Sequence, residues 1–417
     1  MIYRKVIVFL SVLFGVAVVA FFLSKIASGY RFDLTNGSLR PTGLLVINSL
    51  PNQATILLNG KQVKNKTNTT LSLAPDEYQL EIKKDGFTSW SKKLLIEKEL
   101  MVKTDAYLFP TYPDLKALTF TGAASPVMSP DGKKVVFAVD SDNENDGLWI
   151  LDLGERPLGL SRDPRQIIQS APKGRDFAKA ESQWSPDSKQ ILITLIKTPA
   201  AGKVKAIEEN FLLNASVLNP NTQLIDITDQ KEILLKEWQQ EVEILQKDKL
   251  SQLPEELTSL LENSVANITF SPDETKILYT ATASASITKE IIPPLPGAST
   301  QPEQRDLEPG KIYIYDFKED RNFALDLPEE TKIIGNWQIK EKNDNPKITW
   351  FPTSKHLFLI QKDKISIMEY DNTNHLDLYS GPFEDSFAFT FPSGNRLLIL
   401  TSLSKDAPPN LYSITLR

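Results

Sequence analysis

Residues 127–139 read VMSPDGKKVVFAV, residues 183–195 read QWSPDSKQILITL and residues 269–281 read TFSPDETKILYTA. Each stretch is a strand, a Ser-Pro-Asp turn and a second strand. Proline sets φ for the turn, the aspartate side chain caps turn amides, and a glycine or small residue takes the unusual backbone angle. Apolar alternation on both sides of the turn buries the strand faces between neighbouring sheets. Looser copies follow at 349–361, TWFPTSKHLFLIQ, and 390–402, TFPSGNRLLILTS. After each comes a third strand: LWILDL, NFLLNASVL, KIYIYDF, ISIMEYD and LYSITLR. On this reading Asp131, Asp187 and Asp273 are structural turn formers. Trp149, Trp184 and Trp350 are packing residues between repeats.

Pro352 and Pro392 lie 40 residues apart, one blade's length in a repeat fold. The earlier intervals, Pro130 to Pro186 to Pro272 to Pro352, are longer and must hold insertions or a degenerate blade. The unit resembles the TolB-type or WD-like propeller repeat, and the resemblance covers nearly all of 115–417. It implies a β-propeller of five blades, with room for a sixth near Ile333–Ile339. It also implies that the first strand after the linker, at Lys116–Phe120, pairs beside NLYSITLR and closes the ring, leaving no exposed sheet edge.

The turns between first and second strands are all short. The long stretches are Lys197–Asn210, Asp229–Ser264, Ala281–Gly310 and Pro328–Pro346, and all four map to the opposite face of the ring. One-sided insertions of this kind usually build the functional surface of a repeat fold. Asp229–Ser264 is helical by pattern, with Leu234, Trp238, Val242 and Leu245 on one stripe and Asp229 with Glu232 as a capping pair. Pro254 opens a second helix, Glu255–Leu261. Two readings stand: a helical pair packed against the ring, or a lid or docking arm with Leu234, Trp238 and Val242 as candidate partner-binding residues. Ala281–Gly310, rich in Ala, Ser, Thr and Pro, reads as a mobile loop.

At the amino terminus, residues 6–24 read VIVFLSVLFGVAVVAFFLS, without a charge. At about 1.5 Å per residue they cover roughly 28 Å, near the hydrocarbon thickness of a bilayer. Val6, Leu10, Leu13, Val16 and Phe21 are the expected membrane-anchor residues. Arg4 and Lys5 precede the span, so the positive-inside rule keeps the amino terminus cytoplasmic and exports the rest. The rival is a cleaved signal peptide, whose apolar region is usually only ~7–15 residues. No Ala-x-Ala site follows, and cleavage after Ser28 is the open alternative. Either way the bulk of the chain lies outside the cytoplasm, and the lack of cysteine excludes a lipoprotein.

Residues 43–109 alternate like strands, with Asn59–Gly60 suited to a tight hairpin, and read as a small β-sandwich. Pro51-Asn52-Gln53-Ala54, then LLNGKQV, Leu73-Ala74-Pro75-Asp76-Glu77-Tyr78 and Lys84-Asp85-Gly86-Phe87 together resemble a PEGA domain. The chain departs from that pattern at Asn52, Gln53, Asn68 and Asp76, while order and spacing hold across the segment. The resemblance implies an envelope adhesion or spacer module with no catalytic residues. Tyr78, Phe87 and Trp90 read as packing, with sugar stacking by Trp90 or Phe87 as the alternative.

The resulting organisation is a cytoplasmic stub and transmembrane signal-anchor at 1–28, a linker at 29–42, the sandwich at 43–109 and the propeller at 110–417. The 417 residues are 41% hydrophobic and 24% charged, enough for real cores. Without cysteine, and with only His356 and His375 as histidines, disulfides, thiolate sites and multi-histidine metal sites drop out. A net charge of −6 argues against nucleic acid. The charge divides as +4 over 1–41, +2 over 42–109 and −12 over 110–417, an acidic body unsuited to anionic lipid.

No nucleophile elbow, phosphate loop or clustered His/Asp/Glu set is present, and no cofactor or metal is expected. Asp152, Asp316 and Glu369 end third strands and are the candidates for carboxylate chemistry. The reading is a non-enzymatic, single-pass cell-envelope scaffold that binds an envelope protein or wall glycan. The alternative is a propeller hydrolase acting on envelope polysaccharide or peptide.

Overall fold

The computed structural model describes residues 2–27, 30–33, 38–154, 163–170, 175–197, 207–288, 291, 299–335, 345–384, 386–404 and 407–417. The chain forms two compact units, Met1–Thr111 with Ile292–Pro302, and Tyr112–Ile291 with Glu303–Arg417.

The first unit begins with helix α1, Ile2–Ala27. Its apolar window Val6–Lys25 is long enough to cross a membrane, and none of it is buried in the protein. Val6, Leu10, Leu13, Val16 and Phe21 are all exposed. Length and composition of this kind belong equally to a membrane anchor and to a signal sequence.

A β-sandwich follows. One sheet has three strands in the order Thr69–Leu73, Gly43–Leu50, Met101–Tyr107, the last pair parallel. The other has four, in the order Lys61–Lys66, Thr55–Leu58, Asp76–Lys83, Trp90–Ile96. Inward residues at alternate positions, Leu45 and Ile47 from one sheet and Ile56, Leu80, Ile82, Trp90 and Leu94 from the other, make a single core. Burying each Leu or Ile contributes about 1.5–3 kcal/mol. The expected hairpin is present: Leu58 pairs with Lys61, and Asn59 and Gly60 both take positive φ, 50° and 75°. Gly43 begins its strand where a Cβ would lie 2.3 Å from the Glu97 carbonyl, so any side chain there displaces backbone.

The second unit contains five blade-like antiparallel sheets among the described residues. Blade one is Ala124–Met128, Lys134–Val139, Gly147–Asp152 and Arg165–Gln169. Blade two has three strands, Glu181–Trp184, Gln190–Lys197 and Ile207–Asn214. Blade three is Val265–Phe270, Lys276–Ala281, Ile312–Asp316 and Arg321–Ala324. Blade four is Lys347–Trp350, His356–Ile360, Lys364–Glu369 and Leu376–Ser380. Blade five is Ala388–Thr390, Arg396–Thr401 and Asn410–Thr415, completed by Leu115–Ala117 from the start of the second unit. In that closing pair Leu115 faces Ile414 and Ala117 faces Tyr412. The Thr119 hydroxyl locks it by donating to Asn410 Oδ1 and accepting from the Leu411 amide, both at 2.9 Å.

Near Ile333–Ile339, Lys332–Ile333 adds as a parallel edge strand to blade four, and residues 336–344 lie outside the described residues. The described residues therefore contain no sixth blade.

Period-two alternation sets the inter-blade layers. In the second strand of blade one, Val135, Phe137 and Val139 face blade five, while Val136 and Ala138 face blade two. Leu278 and Ile314 of blade three likewise meet Ile348, Trp350 and Leu357 of blade four. The five first turns share one backbone solution: Gly132, Ser188, Glu274, Ser354 and Gly394 all have φ between 56° and 66°. A left-handed residue after a tight turn matches the twist of the flanking strands.

Candidate functional site

The turn aspartates satisfy their own turns. Asp131 Oδ1 accepts from the Ser129 hydroxyl at 2.6 Å and the Lys133 amide at 3.0 Å. Asp187 accepts from Ser185 and Lys189 at 2.7 and 3.0 Å. Asp273 accepts from Ser271 at 2.7 Å and from the amide and hydroxyl of Thr275 at 3.2 and 2.9 Å. Burial pushes the Asp187 and Asp273 carboxyls up, but these hydrogen bonds outweigh it and hold both below the ordinary carboxylate range.

The same turns join neighbouring blades. The Asp131 amide donates to the Ser188 hydroxyl at 3.1 Å, and the Asp273 amide to the Ser354 hydroxyl at 3.0 Å. The Trp184 indole donates to the Val127 carbonyl at 3.0 Å, and that of Trp350 to the Thr269 carbonyl at 3.1 Å. Trp149 differs: its indole donates to the Asn145 carbonyl of its own blade.

The third-strand carboxylates are engaged structurally. Asp316, 2% exposed, pairs with the buried ammonium of Lys276 at 3.1 Å and accepts from the Lys318 and Glu319 amides. Glu369 is buried and bonded by the Asn374 amide at 3.1 Å. Asp152 ends its strand half-buried, paired across the sheet with Lys134. The His356 ring is buried and meets the Thr353 hydroxyl at 2.8 Å, whereas His375 is exposed beside Asn372. Among the described residues no three His, Asp or Glu side chains are grouped to hold a metal.

The insertion between blades two and three forms α2, Lys231–Ser251, and α3, Glu255–Ser264. Asp229 does not cap α2. It lies in a 3-10 turn, Thr228–Gln230, that runs into the helix, and the position before the first helical residue is Gln230 without a side-chain cap. The Asp226 carboxylate tightens this entry instead, accepting from the amide and hydroxyl of Thr228 at 2.9 and 2.6 Å.

Leu257 and Leu261 of α3 are fully buried against Ile277, Tyr279, Tyr313 and Tyr315. α3 therefore covers the face of blade three that points away from blade four. Lys231 at the start of α2 pairs with Glu208, at the start of blade two's third strand. Lys249 near its end pairs with Glu274, in blade three's first turn, at 2.5 Å. Those anchors lie at opposite ends of the strands. α2, about 30 Å long at 1.5 Å per residue, thus runs from one side of the blades to the other rather than lying on the face assigned to all four insertions.

On α2, Trp238 is 6% exposed and Leu234 and Val242 are half-buried. The apolar side chains that α2 turns to solvent are Ile233, Ile244 and Leu245, at 61%, 69% and 56%. The first two lie eleven residues apart, three helical turns, so they share a face. A 3.6-residue period could have revealed this second stripe, but the stripe holding Trp238 dominates the pattern.

Of the other insertions, residues 198–206, 289–290, 292–298 and 336–344 lie outside the described residues. The ends of the Ala281–Gly310 stretch are tied down, with Arg305 paired to Glu303 and Asp320, both at 3.2 Å. Gln301, grouped with the first unit, donates to the Lys93 carbonyl at 2.7 Å. In the sandwich, Trp90 is buried in the core, so its ring is closed to a sugar, and Phe87 and Tyr78 are half-buried against it.

Residues 42–111 match the PEGA domain family. No curated protein matches the chain. Among solved structures it is similar to TolB from Acinetobacter baumannii at 14% identity and a TM-score of 0.22, covering 82% of this chain and 60% of that one. The chain thus spans less than two thirds of that TolB's length. It is similar to a gluconolactonase from Xanthomonas campestris at 12% identity and a TM-score of 0.23, covering 73% of this chain and 90% of that one. An acylaminoacyl peptidase from Pyrococcus horikoshii matches at 10% identity and a TM-score of 0.20, over 72% of this chain and 40% of that one. Likeness at these scores carries no argument about function.

Proposed function

We propose that this protein is a membrane-anchored, extracytoplasmic scaffold of the cell envelope: α1 holds it in the membrane, the PEGA domain spaces it from the bilayer, and the propeller binds a partner protein. The observation that carries this reading is the order of the parts. An apolar helix behind two basic residues precedes a PEGA domain, and an acidic five-bladed propeller follows. The engagement of Asp316 and Glu369 in local structure supports a binding role over hydrolysis. Wall glycan is the second ligand class. The buried Trp90 ring lends it no support in the sandwich, because sugar recognition favours an accessible aromatic face.

The test is fractionation of native cells, with protease added to intact cells or spheroplasts. The scaffold reading expects full-length chain in the membrane fraction after alkaline washing, with the propeller digested only from outside. Soluble chain trimmed near Ser28 would overturn the anchor, and protection of the propeller would overturn its export.

A further inference from the structure

The insertion in blade three, between Lys276–Ala281 and Ile312–Asp316, is shared between the two units: Ile292–Pro302 group with the first, and the chain returns to the second at Glu303. On the sandwich side, Gln301 is buried and its side-chain amide donates to the Lys93 carbonyl at 2.7 Å, with the Thr300 hydroxyl 3.5 Å from the same oxygen. That carbonyl lies on the edge strand Trp90–Ile96 and points off the sheet. Lys93 sits opposite Gln79, whose amide and carbonyl are both taken by Asn59, at 2.8 and 2.9 Å. In an antiparallel pair, a residue that bonds away from its opposite number leaves that one bonding away as well. Gln301 thus stands where a further strand would bond, and a chain segment placed there covers the edge.

On the propeller side the next residues are fixed at once. Glu303 pairs with Arg305 at 3.2 Å and with Arg321 at 3.0 Å, and Arg305 pairs with Asp320 at 3.2 Å. The Gln304 amide donates to the Asn322 carbonyl at 2.8 Å, and its carbonyl accepts from the Asn322 side chain at 2.6 Å. The Arg305 and Asp320 side chains are 12% and 5% exposed, so salt and water screen this pair little. Only Pro302 separates the two sets of bonds, and its ring fixes φ. A link this short and stiff carries a displacement that a flexible linker would absorb. We infer that Ser299–Arg305 is a strap coupling the sandwich's edge strand Trp90–Ile96 to blade three, so that loosening either one loosens the other. Such coupling is reciprocal by thermodynamic linkage. A ligand that loosens blade three thereby opens a strand edge on the sandwich.

The experiment reads amide hydrogen exchange across Trp90–Ile96 in the full chain, held in mild detergent. Gln301→Ala removes the bond to the edge strand and should speed its exchange about three- to tenfold. Arg305→Gln alters only blade three's end of the strap, yet it should speed exchange in the same strand. Combining the two should add nothing there beyond the larger single effect, because both act through one connection. Inserting Gly-Ser-Gly-Ser between Pro302 and Glu303 leaves the bonds at both ends in place. It should stop the Arg305→Gln effect from reaching Trp90–Ile96 while that effect persists in blade three. Where Arg305→Gln unfolds blade three, Glu303→Gln replaces it as the milder change at the same end, with the same expectations. Exchange that rises in blade three alone, effects that simply add, or transmission that survives the insertion overturns the inference.

Discussion

Asp316→Asn removes the negative member of the ion pair within blade three and keeps the side chain's size. Its partner is Lys276, whose side chain is 9% exposed, against 3% for Asp316. The ammonium also lies 4.7 Å over the Tyr370 ring and 3.1 Å from the Thr275 hydroxyl, neither of which carries a full compensating charge. The asparagine oxygen can still accept the Lys318 and Glu319 amides that Asp316 binds now, so the turn after the strand survives. The loss is therefore the charge partner alone, and stranding a buried charge costs about 3–5 kcal/mol.

Adding Lys276→Met removes the stranded ammonium and should return most of that loss, because a buried pair replaced as a whole is close to neutral. The measurement is a urea titration of the full chain in mild detergent, read by amide hydrogen exchange in blades three and four. A loss below about 1 kcal/mol, or a double variant no more stable than Asp316→Asn, would refute the reasoning. The same variant separates scaffold from hydrolase. A catalytic Asp316 predicts lost activity with stability intact, whereas the observed pairing predicts lost stability.

Trp350→Phe deletes the indole donor to the Thr269 carbonyl while keeping an aromatic in the blade three–four core, and should cost about 0.5–1.5 kcal/mol in thermal or urea unfolding. Glu274→Gly relieves a φ of 56° at the expense of an exposed pair with Lys249, and a gain of roughly 0.5 kcal/mol is expected; a fall in melting temperature would contradict it. Gly43→Ala forces a Cβ into the Glu97 carbonyl and the Ile96 side chain and should destabilise the sandwich by about 1–3 kcal/mol, seen as faster exchange of its amides. Asp187 and Asp273 have depressed folded pKa values, so their stabilisation is present above the unfolded pKa and is lost as pH falls through the folded one. Propeller stability should hold from neutral pH to about 5 and decline below about 4. Asp273→Asn should lessen that decline; an unchanged acid profile would show that other carboxylates set it.

Much of this molecule is local in origin and so was legible without coordinates. The Ser-Pro-Asp turns act through bonds spanning two to five residues, from Ser129 to Lys134 or from Ser271 to Lys276, and any chain with those residues in that order can make them. Alternation along Lys134–Val139 assigns one side chain to each neighbouring blade because strand period is two, and the apolar run Val6–Ser24 states its own length. The pairing of Leu115–Ala117 with Asn410–Thr415 joins the ends of the propeller across nearly three hundred residues, and the resemblance to the TolB-type repeat had implied such a closing strand, at Lys116–Phe120.

What the tertiary structure decided concerns groups whose partners are distant in sequence. Asp316 and Lys276 are both charged residues at strand ends, and only their convergence at 3.1 Å distinguishes a structural pair from exposed catalytic carboxylates. α2 has apolar residues on more than one side, so its pattern alone does not say which stripe meets the protein. The ion pairs to blade two's Glu208 and blade three's Glu274, with the burial of Trp238, settle its rotation about its own axis. That rotation buries Trp238, half-buries Leu234 and Val242, and leaves Ile233 and Ile244 in solvent, because the bulkiest apolar side chain gains most from leaving water.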